Sequence, residues 1–294
     1  MIPIKLPNNK IVDIHYQGIC SYFSIGELNS ISHWLEPYNL TFERLIKAKP
    51  DELREIKKEI KSGQYANWES NEIPELFKDT YSSFSKFSKN QYCGANLVAN
   101  LQIKVCPYCN RTFINNFDKD GKIKRSSQID HFFPKGMSKY PYLALSFYNL
   151  IPSCYSCNHS KGTKKIDKSP YELSSSDDAL HFNIKFPKEN GGYNLDNVEL
   201  TIDIEEEFNM NVKHLGLKSL YKNHNDVARE IWLKGKAYDE SRIKELLTTF
   251  PDLFESEKEI AQIIMGNYLE EEDLGKRPLS KLTRDIAREV KFIK

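Results

Sequence analysis

Apolar residues recur at helical spacing in both arms of the chain, and shorter patterns lie between the arms. Residues 40–60 show this spacing, but Pro50 interrupts it, so a second helix is predicted to restart over 51–61. The first arm also predicts helices over 72–87 and 91–103. The second arm predicts four helices, over 217–238, 241–249, 257–268 and 279–292.

The middle of the chain alternates between apolar and polar residues, as short strands do. Residues 111–129 predict two strands around an Asp120-Gly121 turn. Residues 150–154 predict a short extended segment, and a helix is predicted to begin at its end. Alternation returns in 181–186 and 198–204. The predicted fold is α+β and mostly helical. Its regions are 1–103 (helical), 104–170 (a small β-containing core) and 171–294 (short strands, then helices).

Length and charge limit the function classes. The 294 residues suffice for one large or two modest domains, and no apolar run reaches the roughly 18 residues of a membrane span. The first residues lack a signal-peptide pattern, so we expect a cytoplasmic protein without a membrane partner. The net charge is +1, yet residues 104–168 hold twelve Lys or Arg against four Asp, and 189–207 hold seven acids and no base. Binding of a polyanion and ordinary solvated surface both explain this distribution.

The six cysteines include two CxxC pairs, Cys106 with Cys109 and Cys154 with Cys157. Four thiolates in this pattern predict a closed, tetrahedral, structural Zn²⁺ site. The pairs are 44 residues apart, whereas an ordinary zinc ribbon uses roughly 15–20. The clamp therefore encloses an insert, and this insert holds the unusual polar residues. The other two cysteines are isolated, which is typical of small buried apolar residues.

Five polar residues in and after the insert are candidates for chemistry. Asp130 and His131 end a predicted strand, so their side chains point to opposite faces. Asn149 precedes the second CxxC pair. Asn158 and Lys161 follow that pair at a spacing that places them on one helix face.

These motifs, in this order, resemble the zinc-containing branch of the HNH (ββα-metal) endonucleases. The resemblance covers about 60 residues, 106–162, through CPYC, DHFFPK, NLIPSCYSCN and a Lys-Gly pair. It implies a central ββα-metal core with a four-cysteine zinc site, flanked by N- and C-terminal helical arms. The DHFFPK and CPYCN motifs also resemble those of HNH nucleases of bacterial anti-phage defence systems, some of which work with an ATPase.

The resemblance implies a role for each polar residue. Asp130 would bind a catalytic divalent ion and His131 would be the general base. Asn149 would orient His131, and Asn158 would be the second metal ligand, with the adjacent His159 as the alternative. Oxygen ligands favour Mg²⁺ or Mn²⁺ as the catalytic ion. The expected phosphate-facing residues are Lys124, Arg125, Lys135, Lys161, Lys164 and Lys165.

The expected function is hydrolysis of DNA phosphodiester bonds, in defence or as a restriction-type or mobile-element enzyme. Two non-catalytic alternatives are a zinc-stabilised nucleic-acid-binding module and a subunit whose helical arms dock on an ATPase partner. A single ββα site cuts one strand, so cleavage of both strands requires a homo-oligomer or two binding events. The preference for DNA or RNA, the sequence specificity and the trigger stay open at this point.

Overall fold

The computed structural model describes residues 1–62, 72–136, 140–186, 188–189, 192–193 and 198–293. The chain forms two compact units. Unit 1 contains Met1–Pro3, Lys104–Phe113 and Leu173–Lys294, and unit 2 contains Ile4–Ile103 and Ile114–Glu172. Each unit combines separate stretches of the chain, so it does not correspond to any one of the three predicted sequence regions, and that division stays a prediction.

The described residues of unit 2 include seven α-helices. Local capping explains several of their starts: the Asn8 side chain accepts a hydrogen bond from the Ile11 amide, and Ser24 and Glu27 form a capping box. Pro50 is the first residue of a helix, which confirms the predicted break and restart. The helices are α1 Asn9–Cys20, α2 Ile25–Leu35, α3 Phe42–Lys47, α4 Pro50–Ser62, α5 Glu72–Phe84, α6 Gly94–Leu101 and α7 Tyr155–Lys161.

Four short strands of unit 2 form two antiparallel pairs. Strands β1 (Asn116–Lys119) and β2 (Lys122–Arg125) make the predicted hairpin. Its turn residues Asp120 and Gly121 have φ of 56° and 68°, the left-handed values that a tight two-residue turn requires. Strand β3 (Gln128–His131) pairs with β4 (Leu150–Ser153). The single strand predicted up to residue 129 is wrong, because β2 and β3 have different partners.

Unit 1 pairs strand β5 with β8 and β6 with β7, and six helices follow. The single helix predicted over 217–238 is wrong: a 3-10 turn, Lys222–His224, divides it. The elements are β5 Leu180–Lys185, β6 Lys188–Glu189, β7 Gly192–Tyr193, β8 Glu199–Ile204, α8 Asn209–Leu215, α9 Leu217–Tyr221, α10 Asn225–Ala237, α11 Glu240–Thr249, α12 Glu257–Met265 and α13 Ser280–Glu289. The predicted α+β, mostly helical class is confirmed. Of the helices described, none has the length and apolar character needed to cross a membrane.

Candidate active site and metal centre

A strand–strand–helix arrangement of β3, β4 and α7 carries most of the candidate residues. Alternation along β3 places Gln128 and Asp130 on one face and His131 on the other. Helix α7 covers the first face. The Asn158 amide donates to the Gln128 side chain, and the Lys161 ammonium donates to the Asp130 carboxylate at 3.0 Å. Gln128 and Asp130, two residues apart on the strand, therefore contact Asn158 and Lys161, three residues apart on the helix.

His131 is held in one orientation by the carbonyl of Ala144, which lies 3.1 Å from its Nε2 atom. A carbonyl only accepts hydrogen bonds, so this contact requires the proton on Nε2 and leaves Nδ1 with the lone pair. The Tyr81 ring packs edge-on against the imidazole at 4.4 Å between ring centroids. Burial, followed by the positive charge of Lys135, lowers the pKa of His131 to about 3, so the imidazole is neutral at physiological pH.

Asn149 fixes the loop around His131 through hydrogen bonds to backbone groups. Its Oδ1 atom accepts from the Phe133 amide at 2.7 Å. Its Nδ2 atom donates to the Phe133 carbonyl at 3.1 Å and the Leu143 carbonyl at 2.8 Å. The side chain is fully buried and ties the residues after His131 to those before Ala144. The expected orienting role therefore corresponds, in this geometry, to positioning the Ala144 carbonyl.

Asp130 and Lys161 form a buried ion pair, with 3% and 0% of their side chains exposed. The Lys161 ammonium also donates to the His131 carbonyl at 2.6 Å. The expected phosphate contact of Lys161 does not fit this burial, and its contacts are those of a positioning residue. A divalent ion bound to Asp130 would share the carboxylate with this ammonium.

The geometry distinguishes Asn158 from His159 as partners of Asp130. Asn158 contacts β3 through Gln128. His159 stacks on the exposed Tyr155 ring, with centroids 5.6 Å apart and planes within 8°. Of these two residues, Asn158 is therefore the one on the helix face that covers β3. Its amide and the Asp130 carboxylate are an oxygen donor set of the kind that suits Mg²⁺ or Mn²⁺.

The six basic candidates differ in their surroundings. Lys124, Lys164 and Lys165 are exposed, and the Lys164 ammonium donates to the Ser160 carbonyl at 2.9 Å. Arg125 is half-buried, donates to the Ser85 carbonyl at 2.8 Å, and has its pKa lowered by burial, which fits a packing role better than a phosphate contact. Lys135 is half-buried, with its ammonium 4.2 Å from the Tyr81 ring centroid.

The four CxxC cysteines are buried, and their sulfur atoms all lie within 4.8 Å of one another. An ideal tetrahedral site with Zn–S bonds of about 2.3 Å has sulfurs about 3.8 Å apart, so the donor set fits zinc. In the first pair, the Asn110 amide donates to the Cys106 carbonyl at 2.7 Å and closes the knuckle. In the second pair, Cys154 precedes α7 and Cys157 lies within it.

Asn110 is a residue of this region that the sequence interpretation missed. Its φ of 50° is left-handed, a conformation that Asn tolerates better than most residues. Its Oδ1 atom accepts from the Lys281 amide at 2.9 Å, and its Nδ2 atom donates to the Leu274 carbonyl at 2.9 Å. Asn110 therefore ties the first knuckle to the start of α13 within unit 1. An Asn directly after CxxC was the available signal.

The arrangement thus combines a strand–strand–helix site that carries an Asp-His pair with a buried cluster of four thiols. Comparison with curated proteins finds similarity to Septu protein PtuB of Bacillus thuringiensis, at 29% identity over 140 residues, which is 38% of this chain. The chain spans about half, 51%, of that relative's length. No family model matches the chain, and no solved structure matches it.

Proposed function

We propose that this chain is a metal-dependent HNH endonuclease that hydrolyses DNA phosphodiester bonds in anti-phage defence. The observation that carries the proposal is the pair at the end of β3. His131 has its Nε2 proton committed to Ala144, and Asp130 faces the helix that bears Asn158. One strand thus offers a proton acceptor on one face and a metal-ligand oxygen on the other.

The proton transfer belongs to His131 in this proposal. Burial keeps its imidazole unprotonated, so Nδ1 is able to accept a proton from a water molecule beside a phosphate. The negative charge of that phosphate raises the pKa of the imidazole toward the range in which proton transfer is efficient. Asn149 preserves the geometry by holding the loop that presents the Ala144 carbonyl.

Two kinds of ion fit the chain. Asp130 and Asn158 would hold Mg²⁺ or Mn²⁺, which when bound supplies charge neutralisation at the phosphate and the leaving oxygen. The cysteine cluster would hold Zn²⁺, and four thiolates leave no open coordination position, so this ion is structural. The two roles are therefore assigned to separate donor sets.

The similarity to Septu protein PtuB supports the defence role. A defence nuclease must stay inactive until infection, which fits the low exposure of His131, 7%. We assign the helical arms to contacts with a partner, for which an ATPase is the first candidate. A homo-oligomer is the second arrangement that would supply two sites for two strands.

A second candidate function, a zinc-stabilised DNA-binding module without catalysis, is favoured by one observation. The Asp130 carboxylate is already paired with Lys161, and this pair needs no metal ion to be neutral. In such a module His131 would pack against Tyr81 and carry out no proton transfer. The two functions differ in their dependence on His131 and on divalent ions.

The test uses supercoiled plasmid DNA with the wild-type chain, His131→Ala and the control His33→Ala, an exposed histidine of α2. Each protein is first checked for zinc, then incubated with Mg²⁺, Mn²⁺ or EDTA. Nicking or linearisation by wild type and His33→Ala, but not by His131→Ala, is expected. Equal cutting by all three would mean a different active site. Binding without cutting under any condition, including with the product of a neighbouring ATPase gene, would support the non-catalytic module.

A further inference from the structure

Helix α5, in the arm to which the sequence assigned no chemistry, contributes to the surroundings of His131. The Tyr81 hydroxyl donates to the Ile129 carbonyl of β3 at 3.2 Å, and its ring packs against the imidazole. Alternation puts Ile129 and His131 on the same face of β3, opposite Asp130. Helix α5 thus covers one face of the strand and α7 covers the other.

Lys135, four residues after His131, also contacts the Tyr81 ring. Its half-buried ammonium lies 4.2 Å from the Tyr81 ring centroid. Within the described part of the chain, no carboxylate or carbonyl oxygen pairs with this ammonium. Burial, followed by the positive charge of Lys78, lowers the pKa of Lys135. By contrast, Arg54 in the same unit is paired with a carboxylate, through contacts with both oxygens of Glu172.

Lys78 lies three residues before Tyr81 on α5, which places both on one helix face. Its ammonium is held by Glu75 at 2.9 and 3.0 Å. The Glu75 side chain is 47% exposed, and ion pairs of this kind contribute only about 0–1 kcal/mol, so a stronger anion displaces it readily. Two cations that raise each other's electrostatic energy lose that repulsion when an anion binds between them.

We propose that Lys135, which lies on the Tyr81 ring beside His131, and Lys78, on the same face of α5 as Tyr81, form a binding subsite for one backbone phosphate of duplex DNA. The inference rests on the proposed function, because it places this phosphate next to the candidate general base. It also assigns part of the substrate-binding surface to the N-terminal helices. A backbone phosphate has oxygens that can accept from two ammonium groups, and it is the anion that duplex DNA presents to a protein.

The experiment measures binding of a fluorescently labelled DNA duplex by anisotropy over a series of NaCl concentrations, without added divalent ions. Each phosphate contact contributes about 0.9 to the slope of log K against log salt. Lys135→Gln and Lys78→Gln are each expected to reduce the slope by about that amount. The matched control Lys86→Gln removes an exposed charge just after α5 and should leave the slope unchanged. Lys135→Arg should restore it, which separates lost charge from lost packing on Tyr81.

Unchanged slopes in both Gln variants, or no duplex binding by the wild-type chain at low salt, would overturn the subsite. A reduced affinity with an unchanged slope would do the same, because it would assign to Lys135 only a packing role. The outcome is independent of cleavage. A chain that shows the reduced slopes but never cuts DNA would refute the nuclease and keep the subsite.

Discussion

Two buried histidines, His131 and His15, make similar hydrogen bonds in unit 2. His131 and His15 donate their Nε2 protons to consecutive carbonyls, Ala144 at 3.1 Å and Leu145 at 2.9 Å. His15 also makes edge contacts with the Phe84 and Phe147 rings. Burial disfavours the protonated, charged form of both imidazoles. Burial lowers the pKa of His15 to about 4 and that of His131 to about 3.

These shifts predict how stability depends on pH. In the unfolded chain both histidines titrate near 6.5, so below that value the unfolded state binds protons that the folded state does not. Their contribution is complete above about pH 6.5 and is lost as the pH falls toward 4, at up to about 1.4 kcal/mol per pH unit for each histidine. His15→Gln should reduce this slope by up to one proton, measured by urea unfolding between about pH 7.5 and 5.

The control for this prediction is His33→Gln, an exposed histidine whose removal should leave the slope as in the wild-type chain. Zinc loss at low pH acts equally on all three proteins and cancels in the difference between them. A His15→Gln slope equal to that of the wild-type chain would show that His15 is protonated in the folded state.

Among the secondary-structure elements, some turns and helix starts were predicted correctly, whereas the division of strands between partners was not. The Asp120-Gly121 hairpin and the restart at Pro50 follow from backbone chemistry that acts over a few residues. The division between β2 and β3 was not predictable, because alternation does not reveal that one strand pairs with β1 and the other with β4. The turn at Lys222–His224 was missed because no Pro or Gly precedes it within 217–238. Next to the turn, the Tyr221 hydroxyl donates to the Cys109 carbonyl at 2.5 Å, a contact that the sequence does not reveal.

The candidate site shows the same limit. The motif order identified the residues along the chain, and that level of inference needed only the sequence. It did not reveal that Lys161 is buried, because a lysine at a helix end is usually exposed and its partner Asp130 lies 31 residues earlier. Nor did it reveal Tyr81, whose relation to His131 depends on how α5 packs on β3.

The β3–α7 ion pair gives a prediction at this scale. Lys161→Met leaves the buried Asp130 carboxylate uncompensated, which costs about 3–5 kcal/mol in comparable buried pairs. Without the ammonium, Asp130 should bind Mn²⁺ more tightly, so added Mn²⁺ should raise the Tm of Lys161→Met more than that of the wild-type chain. Thermal unfolding with and without Mn²⁺ measures both effects.

Two further variants test the cause. In Asp130→Asn combined with Lys161→Met, the stability loss should be smaller than in Lys161→Met alone and the Mn²⁺ shift should vanish. Lys164→Met removes an exposed lysine from the same segment and should behave as wild type. A Mn²⁺ shift that persists without Asp130 would place the divalent ion elsewhere.

For the whole molecule, net charge says little and its distribution says more. The chain carries +1 overall, with twelve Lys or Arg against four Asp over 104–168. Some of those twelve make internal contacts in the structure: Lys161 pairs with Asp130, Arg125 donates to the Ser85 carbonyl, and Arg111 donates to the His224 imidazole. The cations available for the proposed DNA contact are therefore fewer than the sequence count suggests, and the proposed subsite adds Lys78 of α5 to them.

The proposed defence role is tested in cells and not with the purified chain. In a bacterial host that carries the gene with its neighbouring genes, the wild-type chain and His33→Ala are expected to reduce phage plaque numbers. His131→Ala should lose this protection while the protein accumulates to the same level, because only the proton acceptor has been removed. Plaque counts beside an immunoblot provide the measurement. Protection that survives in His131→Ala would assign the defence to binding or docking without cleavage.

Zinc gives the last prediction at this scale. Zinc bound by the four buried cysteines would stabilise the fold, since structural zinc contributes apparent binding free energies of about 10–16 kcal/mol in small zinc-binding peptides. Wild type and the control Cys20→Ser, a cysteine outside the cluster, should each hold about one Zn²⁺ per chain. Cys157→Ser should hold far less and show a lower Tm, and a strong chelator should lower the Tm of wild type but hardly that of Cys157→Ser. Elemental analysis with thermal unfolding tests this. Equal zinc content in Cys157→Ser and Cys20→Ser would mean that the ion is bound elsewhere, and the four thiols would then be ordinary core residues.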